Sequence, residues 1–159
     1  MQLLTKDQIL SARARLKTQV VDVPEWGGSV IVCELTGSMR DAFEGAMVQG
    51  RINGSTQLNM TNVRARLAAF SIVNPDDFEL KVHASDDGSE YSRSYVLKYD
   101  KTPRRMFTDA EIADLGQLSA AALSRVADVA QKLSGIGQSD LNELTGDLKN
   151  DQSANSGSN

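Results

Sequence analysis

The chain has a single cysteine, Cys33, and a single histidine, His83, and it has no apolar run near the roughly 20 residues that a membrane-crossing helix requires. Each scarcity removes a class of protein. One cysteine cannot close an internal disulfide, and the opening Met1-Gln2-Leu3-Leu4-Thr5-Lys6 lacks the long apolar centre of a secretory signal. A cytoplasmic protein that does not enter a bilayer is therefore the expectation. Positive charge is also in short supply: 17 lysines and arginines stand against 21 acids, for a net charge of -4, and the basic residues are scattered. Phosphate backbones attract such a chain weakly, so no nucleic-acid partner is expected.

The residue types that carry chemistry are equally sparse. His83 has no neighbour in sequence that suggests a triad, and in an alternating strand it points away from Leu80 and Val82, as a surface histidine would. Cys33 sits in a β-branched run without flanking cations, which suits a small buried side chain better than a nucleophile. Asp86, Asp87 and Glu90 surround Gly88, but they lack the spacing of a calcium loop and read as a solvated turn. Asp76 and Asp77 could meet these acids across the base of a hairpin, yet nothing in the sequence motivates an acid-base dyad. Gly27-Gly28 and Gly135-Ile136-Gly137 match neither a phosphate-cradling loop nor a dinucleotide fingerprint. The residues give no catalytic, metal or cofactor site, and the expectation is a protein that is not an enzyme.

What the chain does have is local structure. With 159 residues, 40% hydrophobic and 24% charged, it can bury a core as one domain over residues 1–149. Residues 150–159, Asn-Asp-Gln-Ser-Ala-Asn-Ser-Gly-Ser-Asn, contain nothing apolar beyond one alanine and predict a disordered tail. Thr5 and Gln8 form a capping box, with Leu4 and Ile9 as a staple, for a helix from Lys6 to about Leu16. The runs 19–23 and 29–35 flank a Pro24 to Gly28 turn and predict a hairpin. Thr36 or Ser38 caps a helix whose Met39, Ala42, Phe43, Ala46 and Met47 form one apolar stripe, ended by Gly50. Residues 51–59 read as a loop, and Met60, Val63, Leu67 and Phe70 mark a further helix to about Ser71.

Phe78, Leu80 and Val82 alternate with polar residues before an Asp86-Asp87-Gly88 turn and the run 91–99, which predicts a second hairpin. Thr108 and Glu111 repeat the capping box, with Phe107 and Ile112 as staple. A long helix then carries Ala122, Val126, Val129 and Leu133 to Gly135, and Ser139 caps a last short helix with Leu141, Leu144 and Leu148. The class is α+β and mainly helical, with helices packed on an N-terminal hairpin.

Several of these segments, taken in order, resemble the tail assembly chaperones of long-tailed bacteriophages. The likeness rests on Pro24-Glu25-Trp26-Gly27-Gly28, on Leu35-Thr36-Gly37-Ser38-Met39-Arg40-Asp41-Ala42-Phe43-Glu44, on the run Asn62 to Val73 with Arg64, Arg66 and Leu67, and on Met106-Phe107-Thr108-Asp109-Ala110-Glu111-Ile112. The blocks 113–116, 119–126 and 130–136 follow in the same order. The chain departs from the family between Asn74 and Arg105, where a hairpin of about 75–103 replaces a short turn.

The resemblance implies a non-enzymatic chaperone that binds the tape measure protein in the host cytoplasm, keeps it soluble until the tail tube forms, and is absent from the mature virion. A longer frameshifted product would recruit tail tube protein, and a homo-oligomer is compatible with the family. Trp26, Met39, Phe43 and Met47 are the candidate partner-binding residues: the tryptophan either covers its own hairpin or anchors a partner, and a methionine-bearing stripe adapts to varied sequences. The rival reading is a small structural tail or head-tail connector subunit of the virion. A hydrolase built on His83 has the least support.

Overall fold

The computed structural model describes residues 2–12 and 16–137. The expected last helix from Ser139 and the tail 150–159 lie outside them. Thr5 caps the first helix, α1 (Lys6–Leu10): its hydroxyl accepts from the Gln8 N–H at 3.3 Å while Gln8 Oε1 accepts from the Thr5 N–H at 2.9 Å. The helix is shorter than the sequence predicts and none of its residues is buried. Leu4 and Ile9 are both exposed, so the cap holds the turn through hydrogen bonds rather than a covered staple.

Strands β1 (Thr18–Val23) and β2 (Gly28–Cys33) pair antiparallel across a 3-10 turn, Pro24–Trp26, that Gly27 closes at φ 75°. A left-handed residue is needed there and glycine takes it without a Cβ penalty. The sheet gains a third strand that the periodicity does not show: β5 (Ile72–Val73) pairs with β2 through Ile31 opposite Val73 and Val32 opposite Ile72. Two residues are too few for an alternation pattern, and they follow the helix α3 (Val63–Ser71) with no turn signal between.

The helix α2 (Gly37–Met47) is capped by Thr36, whose hydroxyl accepts from the Met39 N–H at 3.2 Å. It ends three residues before Gly50. The segment expected to be a loop is instead a hairpin, β3 (Val48–Ile52) with β4 (Ser55–Leu58), turning at Asn53 and Gly54, both at positive φ. Polar composition hid it, because backbone pairing and an Asn-Gly turn are enough to set a short ladder.

Strands β6 (Phe78–Ala84) and β7 (Tyr91–Leu97) form the expected second hairpin, in register from Phe78 opposite Leu97 to Ala84 opposite Tyr91. The chain then returns beside β5: Asn74 N–H donates to the Arg104 carbonyl at 2.8 Å and Met106 N–H to the Ile72 carbonyl at 3.0 Å. A short helix, α4 (Ile112–Leu115), follows the Thr108 cap, where Glu111 Oε2 accepts from the Thr108 N–H at 2.7 Å. Finally α5 (Ala120–Ser134), capped by Ser119 and stopped by left-handed Gly135, buries Ala122, Leu123, Val126, Ala127 and Ala130.

One α+β core joins α2, α3, α4 and α5 to the inner face of the sheet, with Val23, Val32, Phe43, Met47, Leu67 and Ile72 at its centre. A smaller cluster on the other side of the sheet holds Ile31, Cys33, Val73 and Phe78. Ser134 Oγ accepts from the Leu35 N–H at 2.9 Å, tying the end of α5 to the end of β2. Among the described residues no helix is long and apolar enough to cross a membrane.

Candidate partner-binding surfaces

The four residues singled out in the sequence do not form an exposed surface. Phe43 is 2% exposed and Met47 is 1% exposed, so neither reaches the surface of this structure. Phe43 meets Phe70 edge-on, with ring centroids 6.4 Å apart and planes at 75°, the geometry that the ring quadrupoles favour. Helical spacing places an apolar stripe toward whatever covers it, and here the cover is α3. Met39 is half-buried at the edge of the same stripe, lining a recess with Leu16, Cys33, Phe70, Val73 and Pro103 that is too narrow to admit water.

Trp26 lies at the hairpin turn, half-buried against the main core. The end of α5 that carries Arg125 holds that turn: Arg125 Nη2 pairs with Glu25 Oε1 at 3.1 Å and Nη1 donates to the Asp22 carbonyl at 3.3 Å. The indole packs against the main core. Its Nε1 is buried without a hydrogen-bond partner, which costs the turn some of what the ring contributes.

Of the polar groups raised as candidate chemistry, His83, Asp77 and Asp87 have hydrogen-bond partners. His83 is exposed on β6, with Nε2 3.3 Å from Ser94 Oγ across the ladder. Cys33 is buried, and desolvation followed by the charge of Glu34 pushes its thiol up to about 12. Asp87 is held well below the usual carboxylate range by the Ser85 and Ser89 hydroxyls and the Ser89 N–H. Asp77 is also lowered, chiefly by the Arg104 guanidinium and backbone N–H. A general acid needs the opposite shift. Asp77 stands at the base of the β6–β7 hairpin and Asp87 in its far turn, about 20 Å apart at strand rise, so the two acidic groups cannot meet. Among the described residues no three histidine, cysteine, aspartate or glutamate side chains gather as metal ligands.

Several apolar side chains outside the four candidates are left uncovered. The start of α3 and the corner between α4 and α5 enclose a groove of about 160 Å³, lined by Met60, Val63, Ala65, Leu118, Ala120 and Leu123 with Asn62, Arg64 and Gly116. Met60 and Leu118 are exposed on its rim. Gly116 packs closely there: a Cβ at this position would meet the Asn62 side chain, which would have to turn aside. Leu3, Leu4, Ile9 and Leu10 form a second exposed apolar group around α1, and the β6–β7 hairpin carries a third. Met60 and Leu118 each lie just before the first residue of a helix, α3 and α5.

Comparison of the chain with protein-family models, curated proteins and solved structures returns no match.

Proposed function

We propose that this protein is a tail assembly chaperone of a long-tailed bacteriophage, acting without catalysis in the host cytoplasm and holding the tape measure protein soluble before the tail tube encloses it. The sequence support is the ordered series of segments from Pro24 to Ile136. The observation that carries the reading in three dimensions is the groove between α3 and the α4–α5 corner, floored by Val63, Ala65 and Leu123 and open between exposed Met60 and Leu118. A long amphipathic helical partner made before its tube exists exposes a stripe that invites aggregation. A groove rimmed by a flexible methionine and a leucine suits one large side chain of that stripe and can release it.

Co-expression tests the reading. The tape measure protein of the same phage should move from the insoluble to the soluble fraction when this chain is present. Met60→Asp with Leu118→Asp should abolish the rescue while circular dichroism stays native, because a carboxylate in an apolar contact is costly to desolvate. Absence of rescue by the unmodified chain over a range of expression ratios would overturn the assignment, and recovery of the chain as a stoichiometric component of purified virions would favour a structural tail subunit.

A further inference from the structure

The β6–β7 hairpin has two unlike faces. Its ladder puts Leu80 opposite Tyr95, Val82 opposite Arg93 and Ala84 opposite Tyr91, and strand alternation places all six on one side. The other side carries Glu79, Lys81, His83, Ser92 and Ser94, with Val96 its one large apolar residue. At the base the first face is continuous with the core through Phe78 and Leu97. Further out it is bare: Leu80 is 46%, Val82 56%, Tyr91 72% and Tyr95 39% exposed. An antiparallel pair with one apolar face ordinarily lays that face on another layer. Here no layer of the described chain covers it.

One charge stands inside this face. Arg93 is flanked by Tyr91 and Tyr95 along its strand and lies opposite Val82, and it makes no ion pair among the described residues. Covering the face with a purely apolar surface would strand a guanidinium out of water, at a cost of several kilocalories per mole. A second copy of the same face brings no acid of its own and would set cation against cation. An anionic membrane fits poorly as well, because the far turn carries Asp86, Asp87 and Glu90.

We infer that the apolar face of the β6–β7 hairpin is a docking platform for an amphipathic helix that carries a carboxylate within its apolar stripe, with Leu80, Val82 and Tyr95 taking the stripe and Arg93 taking the carboxylate. A helix lying along a two-stranded sheet buries one stripe and gives the guanidinium a planar, two-oxygen acceptor. The platform rests on the proposed function only for the identity of the partner, since the chemistry of the face is its own. It also gives the segment that departs from the family a role: a reader of charge within an otherwise apolar helix, separate from the groove.

The test uses the full chain and three labelled 18-residue helical peptides that share a leucine stripe and differ at one position within it, as glutamate, glutamine or lysine. By fluorescence anisotropy the glutamate peptide should bind at least about 10-fold more tightly than the glutamine peptide, the ratio expected for a charge-assisted hydrogen bond. Val82→Asp should weaken both by a similar factor, and Arg93→Glu should reverse the order so that the lysine peptide binds best. Val82 and Arg93 are exposed, so the thermal midpoint of each variant should match the parent. Equal affinity for all three peptides, absence of binding, or binding unchanged by Val82→Asp and Arg93→Glu overturns the platform. A monomer-dimer shift in sedimentation that Val82→Asp abolishes gives the face to a second copy, and binding to anionic vesicles lost in the same variant gives it to a membrane; either result also overturns it. Rescue of the tape measure protein separates the two claims: full rescue by both variants retires the platform as its site and leaves the chaperone reading, whereas peptide discrimination without rescue by the parent does the reverse.

Discussion

Asp77 and Arg104, 27 residues apart, clasp the two ends of the segment that carries the β6–β7 hairpin. Arg104 Nη2 lies 2.8 Å from Asp77 Oδ1, and the Arg104 backbone N–H donates to Asp77 Oδ2, also at 2.8 Å. The carboxylate is 6% exposed and the guanidinium 61%, so the acid is the buried partner and the arginine covers it. The clasp sits where β6 leaves the body and the chain returns beside β5. It anchors the foot of the hairpin while the outer part stands free.

Replacing Asp77 with alanine should therefore cost about 1–3 kcal/mol, the range for losing charge-assisted hydrogen bonds from a buried carboxylate. Asp77→Asn should cost less. The pH dependence has a definite sign: the folded-state pKa of Asp77 is lowered, chiefly by the Arg104 hydrogen bonds, so its contribution is complete above the unfolded carboxylate value near 4 and is lost as pH falls through the lower folded value. Thermal midpoints measured from pH 6 down to pH 2 should drop less steeply for Asp77→Asn than for the parent. Parallel curves would show that the pair has no part in acid unfolding.

The outer hairpin and its foot should respond differently to deletion. Joining Glu79 to Val96 through Asn-Gly keeps the Phe78–Leu97 pair and the clasp, and it should leave the thermal midpoint within a few degrees of the parent. Removing the whole of 75–103 should destabilise clearly, because it takes buried Phe78 away from Ile31, Cys33 and Val73. Equal midpoints for the two deletions would show that Phe78 contributes little to the core.

Phe43 behaves as core. Phe43→Ala should lose about 3–5 kcal/mol, seen as a shift in urea midpoint, and Phe43→Asp should fail to fold because its carboxylate would lie where Phe70 now packs. A folded, stable Phe43→Asp chain would mean that α2 can open and present its stripe to a partner.

The Cys33 thiol, pushed up to about 12 by burial, should stay protonated and react slowly with a thiol reagent at pH 8, and quickly once denaturant exposes it. Since the folded value lies above the unfolded one near 8.5, stability from this group is intact below pH 8.5 and declines as pH rises toward 12. Cys33→Ala should flatten that alkaline decline. Rapid native-state labelling at pH 8 would contradict the buried placement.

Local hydrogen-bond devices were legible from residue order alone. The Thr5–Gln8 and Thr108–Glu111 boxes, the Thr36 cap, the Gly135 stop and the β6–β7 alternation all act over a few positions, so their residue types carry the information. Periodicity likewise marked Met39, Phe43 and Met47 as one face of a helix and Leu80 and Val82 as one face of a strand. It could not tell that the first face would be covered and the second left bare. Cover is supplied by a segment distant in sequence: α3 brings Phe70 against Phe43, whereas nothing in the described chain returns over Val82. The same limit hid β5, too short for a period, and the clasp, whose two residues have no common local pattern. Residue order by itself determined which stretches are apolar and where the locally capped helices begin. The tertiary structure decided which of those stretches remain open to a partner, because burial depends on long-range packing rather than on spacing along the chain.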